Sequence, residues 1–314
     1  MSNKAWATAE ERGNSLGMKI VLMILSTFGY AVANMVLYPI VFYFYATGRA
    51  SRRASLNYLA KVYRRLGRKA APGFWAGYVH FISFSRSALD RIWFWQSKLN
   101  RFEFAAVGLE RINDYLDRRI GVLLLGAHMG SFDSLRVLCQ DRDVKVNAVM
   151  YLDNAQRFNN LLRAVNPNSQ LNIINLKDRN IDGVMELKEC IERGELVAIL
   201  ADRFHPSSRS RVVSCSFLGE EAPFPANPWV MASVLECPTF FVAGMKCGHR
   251  RYESVVQFVD EKITLNRRER EVDIAKYVRE YAIFLERLCC RYPYQWYNFF
   301  DFWRFDEQRN VSDN

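Results

Sequence analysis

No Cys-x-x-Cys pair occurs among the seven cysteines, and Cys289 and Cys290 are adjacent. An odd count without paired spacing excludes a secreted disulfide framework and fits a reducing compartment. Histidine is scarce. The four present (His80, His128, His205, His249) are scattered, with no spacing that would hold zinc, and neither a metal nor a redox cofactor is implied. The one Gly-x-Ser-x-Gly run, Gly13-Asn14-Ser15-Leu16-Gly17, has no apolar strand before it, so it is not a nucleophile elbow and nothing points to an acyl-serine intermediate. Nor does any low-complexity run, internal repeat or linker divide residues 70–305.

Charge is missing from one long stretch. Residues 20–47, IVLMILSTFGYAVANMVLYPIVFYFYAT, are 28 residues without a charged side chain. As a straight helix they would be about 42 Å long, more than the ~30 Å hydrocarbon core of a bilayer. Such a run either spans a membrane or embeds in it as an anchor broken near Pro39; a core helix or a cleaved signal peptide fits its length poorly.

What is present is apolar and unevenly charged. Half of the 314 residues are hydrophobic and 14% aromatic, which excludes extended disorder. The net charge of +10 is local: residues 49–69 hold eight basic groups and no acid, whereas residues 70–314 hold 32 basic against 31 acidic groups. That is not a nucleic-acid footprint spread over a face. The basic segment follows the uncharged run directly, as juxtamembrane segments on the cytoplasmic side do. With Leu56, Leu59, Tyr63 and Leu66 at helical spacing, it reads as an amphipathic interfacial helix. Arg64, Arg65 and Arg68 are its candidates for a surface that meets lipid headgroups.

Beyond an aromatic-rich stretch at 74–104, the pattern is α/β. GVLLLGAH and LVAILA are short, wholly apolar strands, each preceded by an amphipathic helix (108–118 and 182–193). Strands of that kind lie in a buried, mostly parallel sheet flanked by helices. Further strands are expected at 144–151, 171–176, 212–219, 239–244 and 252–259, with helices from Pro228 and over 270–290. The expected organisation is an N-terminal helical anchor in residues 1–70 (20–47 and 49–69), an α/β domain at 71–305, and a frayed tail at 306–314.

In parallel sheets chemistry collects at the C-terminal ends of strands. There the chain reads Gly-Ala-His128-Met-Gly130-Ser131-Phe-Asp133. His128 and Asp133 could not share one face of a regular helix, but they meet if His128 sits in the loop and Asp133 in the first helical turn. Gly130 or Ser131 would cap that helix. A carboxylate on one imidazole nitrogen leaves the other free to act as a base. A lone loop histidine beside an unrelated capping aspartate has the same spacing.

The run LLLGAHMGSFD resembles the H-x4-D/E block of the lysophospholipid acyltransferase superfamily. ILADRF (199–204), FLGEEAPFPANPWVMA (217–232) and PTFFVAG (238–244) resemble its later blocks. PYQWYNFFDFW (293–303) and the opening WATAEERGNSLG (6–17) resemble the branch related to the lipid A late acyltransferases. The resemblance covers nearly the whole chain. It departs in carrying Asp133 where that branch usually has Glu. It also has Pro225-Ala226-Asn227-Pro228 in place of the Pro-Glu-Gly-Thr-Arg of glycerol-3-phosphate acyltransferases, which speaks against that acceptor.

The resemblance implies acyl transfer from a thioester, on acyl carrier protein or coenzyme A, to a hydroxyl or amine of a lipid acceptor at the bacterial inner membrane, with the catalytic domain on the cytoplasmic side. His128 would be the base and Asp133 its orienter. Asp202 and Arg203, with Gly130, Ser131 and the backbone N–H groups after His128, would bind substrate or the oxyanion. Arg64, Arg65 and Arg68 would meet the carrier or the lipid. Aminoacyl transfer, a hydrolase with water as acceptor and a non-catalytic membrane adaptor are the alternatives.

Overall fold

Wholly apolar strands have to be covered on both faces, and the two at the centre of the fold are. In a computed structural model, which describes residues 15–95, 99–132, 134–135, 144–150, 171–175, 181–203 and 212–303, strands β2 (Val122–Gly126) and β5 (Leu196–Leu200) pair in parallel, Val122 against Leu196 through Gly126 against Leu200. Around them lie β1 (Glu103–Val107), β3 (Val146–Met150), β4 (Leu171–Asn175), β8 (Thr239–Lys246) and β9 (Arg251–Asp260), in the order β1-β9-β8-β2-β5-β3-β4. Among the described residues of this sheet, only the β8–β9 pair is antiparallel. A separate hairpin joins β6 (Val212–Phe217) to β7 (Glu220–Pro225). The mostly parallel, helix-flanked sheet expected from the sequence is therefore present. Strands β1 and β7 go beyond that expectation. The first is a half-exposed edge without alternation, and the second carries Pro223 and Pro225, which suit only a strand free on one side.

Alternate residues of the central strands divide two cores. Leu123, Leu125, Val197 and Ile199 face the larger one. It is closed by α5 (Ile181–Glu192), α6 (Asn227–Leu235) and α7 (Arg270–Arg291), through Leu187, Trp229, Tyr281 and Leu285. Val122, Leu124 and Leu196 face the smaller core, under Ile112, Tyr115 and Leu116 of α4 (Glu110–Asp117).

The N-terminal helix α1 (Ser15–Thr47) runs unbroken through Pro39. Its backbone departs from helical geometry at Gly29 instead, where φ is 78°. That left-handed value is open to a residue with no Cβ, so the break sits at the glycine and not at the expected proline. Past it, Tyr30, Ala33, Leu37 and Val41 form a buried stripe against Ile82, Leu89 and Trp93 of α3 (Phe74–Trp95). The opposite face leaves Met35, Tyr38, Phe42 and Tyr43 exposed. The segment Gly29–Thr47 is long and apolar enough to cross a membrane. Helix α2 (Arg49–Arg65) follows, and Arg52 donates to the carbonyls of Tyr45 (2.8 Å) and Ala46 (2.6 Å) at the end of α1. The buried face of α2 is Ala54, Ser55, Tyr58, Leu59, Lys61 and Val62. It is rotated from the face read at Leu56, Leu59, Tyr63 and Leu66, because Leu66 lies past the helix end and is exposed.

Candidate active site

Strand β2 ends at Gly126, and the chain turns into a loop held almost entirely by backbone. The Gly126 carbonyl accepts from Ala201 N (2.9 Å) and from the Tyr281 hydroxyl (2.7 Å). Met129 N bonds Ala127 O (2.7 Å), Gly130 N bonds Gln295 O (2.8 Å), Ser131 N bonds Gly244 O (2.7 Å), and the His128 carbonyl accepts from Tyr297 N (2.8 Å). Gly130 has φ 57°, and a Cβ there would stand 2.0 Å from Gly244 O. Both facts require glycine. Ser87 of α3 donates to the Gly130 carbonyl (2.8 Å). The loop thus has little freedom to move His128.

The neighbouring strand, β5, delivers Asp202 beside it. Asp202 is fully buried and uses both oxygens: Oδ1 lies 2.8 Å from His128 Nδ1, while Oδ2 accepts from His128 N (3.0 Å) and Trp296 Nε1 (2.9 Å). An ionised carboxylate only accepts, so Nδ1 carries the proton and Nε2 presents its lone pair. Burial alone would raise the Asp202 pKa. The contacts with His128, the Arg203 charge and the Trp296 indole outweigh it and bring it down to about 2. His128 keeps a third of its side chain open to solvent. Desolvation nonetheless lowers its pKa, Asp202 opposing and Arg203 reinforcing the shift. The imidazole is therefore neutral near pH 7, as a base has to be.

Arg203 donates to the Tyr297 carbonyl (2.6 Å), with its guanidinium 5.3 Å from the Phe300 ring. Its Nε is buried without a hydrogen-bond partner among the described residues. The backbone N–H groups expected to serve an oxyanion are committed elsewhere, those of Gly130 and Ser131 to Gln295 and Gly244. Among the described residues the buried Ser131 Oγ has no partner, and it is the Ser131 carbonyl that receives Ser134 N (3.1 Å) and Oγ (2.7 Å). Asp133 and His205 lie outside the described residues. The basic helix is partly occupied within the chain. Lys61 pairs with Glu220, Arg64 with Glu220 at 3.1 Å, Arg65 with Glu286 at 2.6 Å, and Arg68 stacks 4.5 Å from the Tyr63 ring.

Two residues behind the dyad carry no signal of their own in the sequence. One is Trp296, visible only as part of the terminal Pro-Tyr-Gln-Trp segment. The other is His80, whose surroundings in the sequence hold no motif. His80 is fully buried. Its Nε2 is 2.9 Å from the Trp296 carbonyl, to which it donates, and its Nδ1 accepts from Ser55 Oγ at 2.9 Å. Burial pushes its pKa down to about 4. The unfolded chain, with an ordinary value near 6.5, takes up this proton first as pH falls. His80 therefore favours the folded state fully above pH 6.5, and that contribution is lost between pH 6.5 and 4. From pH 7 to pH 5 the loss should be about 2 kcal/mol. His80→Gln should flatten the dependence of Tm on pH over this interval, and an unchanged slope would remove His80 as its source.

A model of the family described as bacterial lipid A biosynthesis acyltransferase matches residues 81–304, which include His128, Asp202 and Trp296. No curated protein matches the chain at a significant level.

Proposed function

Because the chain belongs to the bacterial lipid A biosynthesis acyltransferase family, we propose that it is a membrane-associated enzyme moving an acyl group from a thioester donor to a hydroxyl or amine of a lipid acceptor. The observation that carries the mechanism is His128 Nδ1 on the buried Asp202 carboxylate, with Nε2 left as acceptor. His128 Nε2 takes the acceptor's proton as its oxygen or nitrogen attacks the thioester carbonyl. The tetrahedral adduct collapses, the carbon–sulfur bond breaks, and the thiolate recovers the proton from Nε2. Asp202 stabilises the imidazolium between these transfers. No acyl-enzyme is needed. Arg203, one residue beyond Asp202, supplies positive charge to the oxyanion, since the loop N–H groups are already bonded. Asp133 enters through the motif, as the carboxylate of the block that carries His128.

The donor is a thioester of acyl carrier protein or coenzyme A, and the setting is the cytoplasmic face of the inner membrane. In purified protein, thioester consumption that requires a lipid acceptor, with the acylated lipid identified by mass spectrometry, tests the reading. Consumption at the same rate without acceptor would make the protein a hydrolase, and no consumption at all would leave an adaptor.

The exposed face of α1 gives a second test. The full chain should sediment with membranes and need detergent for release. Met35→Glu, Phe42→Glu and Tyr43→Glu together place three charges on an exposed apolar face, each costing roughly 2–4 kcal/mol at bilayer depth, and should shift the protein to the soluble fraction. Wild-type protein that stays soluble without detergent would defeat the anchor.

A further inference from the structure

A cleft of about 590 Å³ lies outside the dyad, between α1, α3, the turn after β8 and the chain leaving α7. Its lining includes Arg86, Lys246, His249 and Arg291, with Tyr30 and Tyr292 as aromatic walls. Arg250 adds a guanidinium 5.8 Å from the Tyr30 ring. Of the lysine and arginines here two are balanced: Lys246 pairs with the buried Asp90, and Arg291 with Glu253 at 3.0 Å. Among the described residues Arg86 has no such acid. It is held by neutral groups, Asn34 Oδ1 at 3.1 Å and the Tyr38 hydroxyl. The cleft is thus a concave, net-positive site built from residue 86, residues 246–250 and residue 291. No charge count along the chain finds it, because residues 70–314 are nearly neutral in sum.

We propose that this cleft binds the phosphate-bearing headgroup of the lipid acceptor. Several converging cationic donors suit a group with three acceptor oxygens and up to two charges. The volume holds more than a bare phosphate, and the tyrosine walls suit the glycerol or sugar that carries it. Val79 lines the cleft and is itself exposed, on the helix that also exposes Trp75 and Phe84, so the acyl chains leave over an apolar surface. The cleft also touches the segment that builds the dyad. Gln295 lines it, with its side chain on Lys246 N (2.8 Å) and O (2.6 Å) and its carbonyl on Gly130 N (2.8 Å), and the next residue is Trp296. The proposal deepens the acyl-acceptor reading and rests on it.

The test is calorimetric titration of the full chain in non-ionic detergent with monomeric dihexanoyl phosphatidic acid. It is run on the His128→Ala protein as well, so that binding is read apart from turnover. Both proteins should bind it, with dihexanoyl phosphatidylcholine at least tenfold weaker. Arg86→Gln with Arg291→Gln should weaken phosphatidate binding by about 100-fold, roughly tenfold for each charge-assisted hydrogen bond removed. Arg118→Gln with Arg267→Gln, both exposed and outside the cleft, should leave it unchanged. If the first pair does not fold, His249→Glu with Arg250→Glu, both exposed, should still cost at least tenfold. Equal affinity for the two lipids, or wild-type affinity in a folded cleft variant, overturns the proposal. So does a cleft variant that loses carrier protein or 4′-phosphopantetheine while keeping phosphatidate, which would give the cleft to the donor.

Discussion

Replacement of His128 by alanine is expected to lower the rate of acyl transfer by ~10²–10⁴-fold, the usual contribution of a positioned general base. At 1.36 kcal/mol per tenfold that is roughly 3–5 kcal/mol of transition-state stabilisation. The loss should fall on kcat, because a proton held only in the transition state adds nothing to ground-state binding. The fold should survive. The loop around His128 is held by backbone bonds from Met129, Gly130, Ser131 and Tyr297, none of which needs the imidazole. Asp202 would lose one of three donors and keep His128 N, as the backbone of the substituted residue, and the Trp296 indole. A modest fall in Tm with an unchanged circular dichroism spectrum is the expected companion result. Wild-type transfer by the folded variant would remove His128 from the chemistry.

The sheet and the loop that carries His128 are legible in the sequence because both rest on local composition. VLLLG and LVAIL admit no exposed face, so they have to be central strands, and a loop with two glycines and a histidine at the end of one of them marks where chemistry collects. The resemblance brings Asp202 to the site, but its seat on that histidine is not legible from spacing. Asp202 is 74 residues away and reaches His128 only because β5 is the neighbour of β2 in the sheet order. Spacing along the chain carries no information about strand order. The same holds for Trp296 and His80, and for the basic cleft, whose cations are widely separated in sequence. The kink in α1 illustrates a different limit. Pro39 reads as the break because it removes a hydrogen bond, yet a helix accommodates that loss, whereas the left-handed φ at Gly29 is an actual departure from helical geometry.

Asp202→Asn is expected to be nearly as damaging, and its pH dependence identifies what the carboxylate does. Asparagine keeps the shape and leaves an oxygen for His128 N and the Trp296 indole, so its amide N–H₂ turns toward Nδ1. A donor there forces the imidazole proton onto Nε2, the nitrogen that has to accept from the substrate, and withdraws the charge that stabilises the imidazolium. The rate should fall by ~10²–10⁴-fold. The sign of the accompanying shift follows from the electrostatics. The base acts only when neutral, so activity rises as pH rises through the His128 pKa. Desolvation lowers that pKa and Asp202 raises it, so removing the carboxylate lowers it further and moves the acidic limb of kcat/KM to lower pH. Asp202 itself, at about 2, stays ionised through that range and contributes no limb of its own. Asp133→Asn is the companion variant. Whatever rate each variant loses, only the carboxylate seated on the imidazole moves the acidic limb, and a limb that moves with Asp133 and stays with Asp202 would exchange their roles.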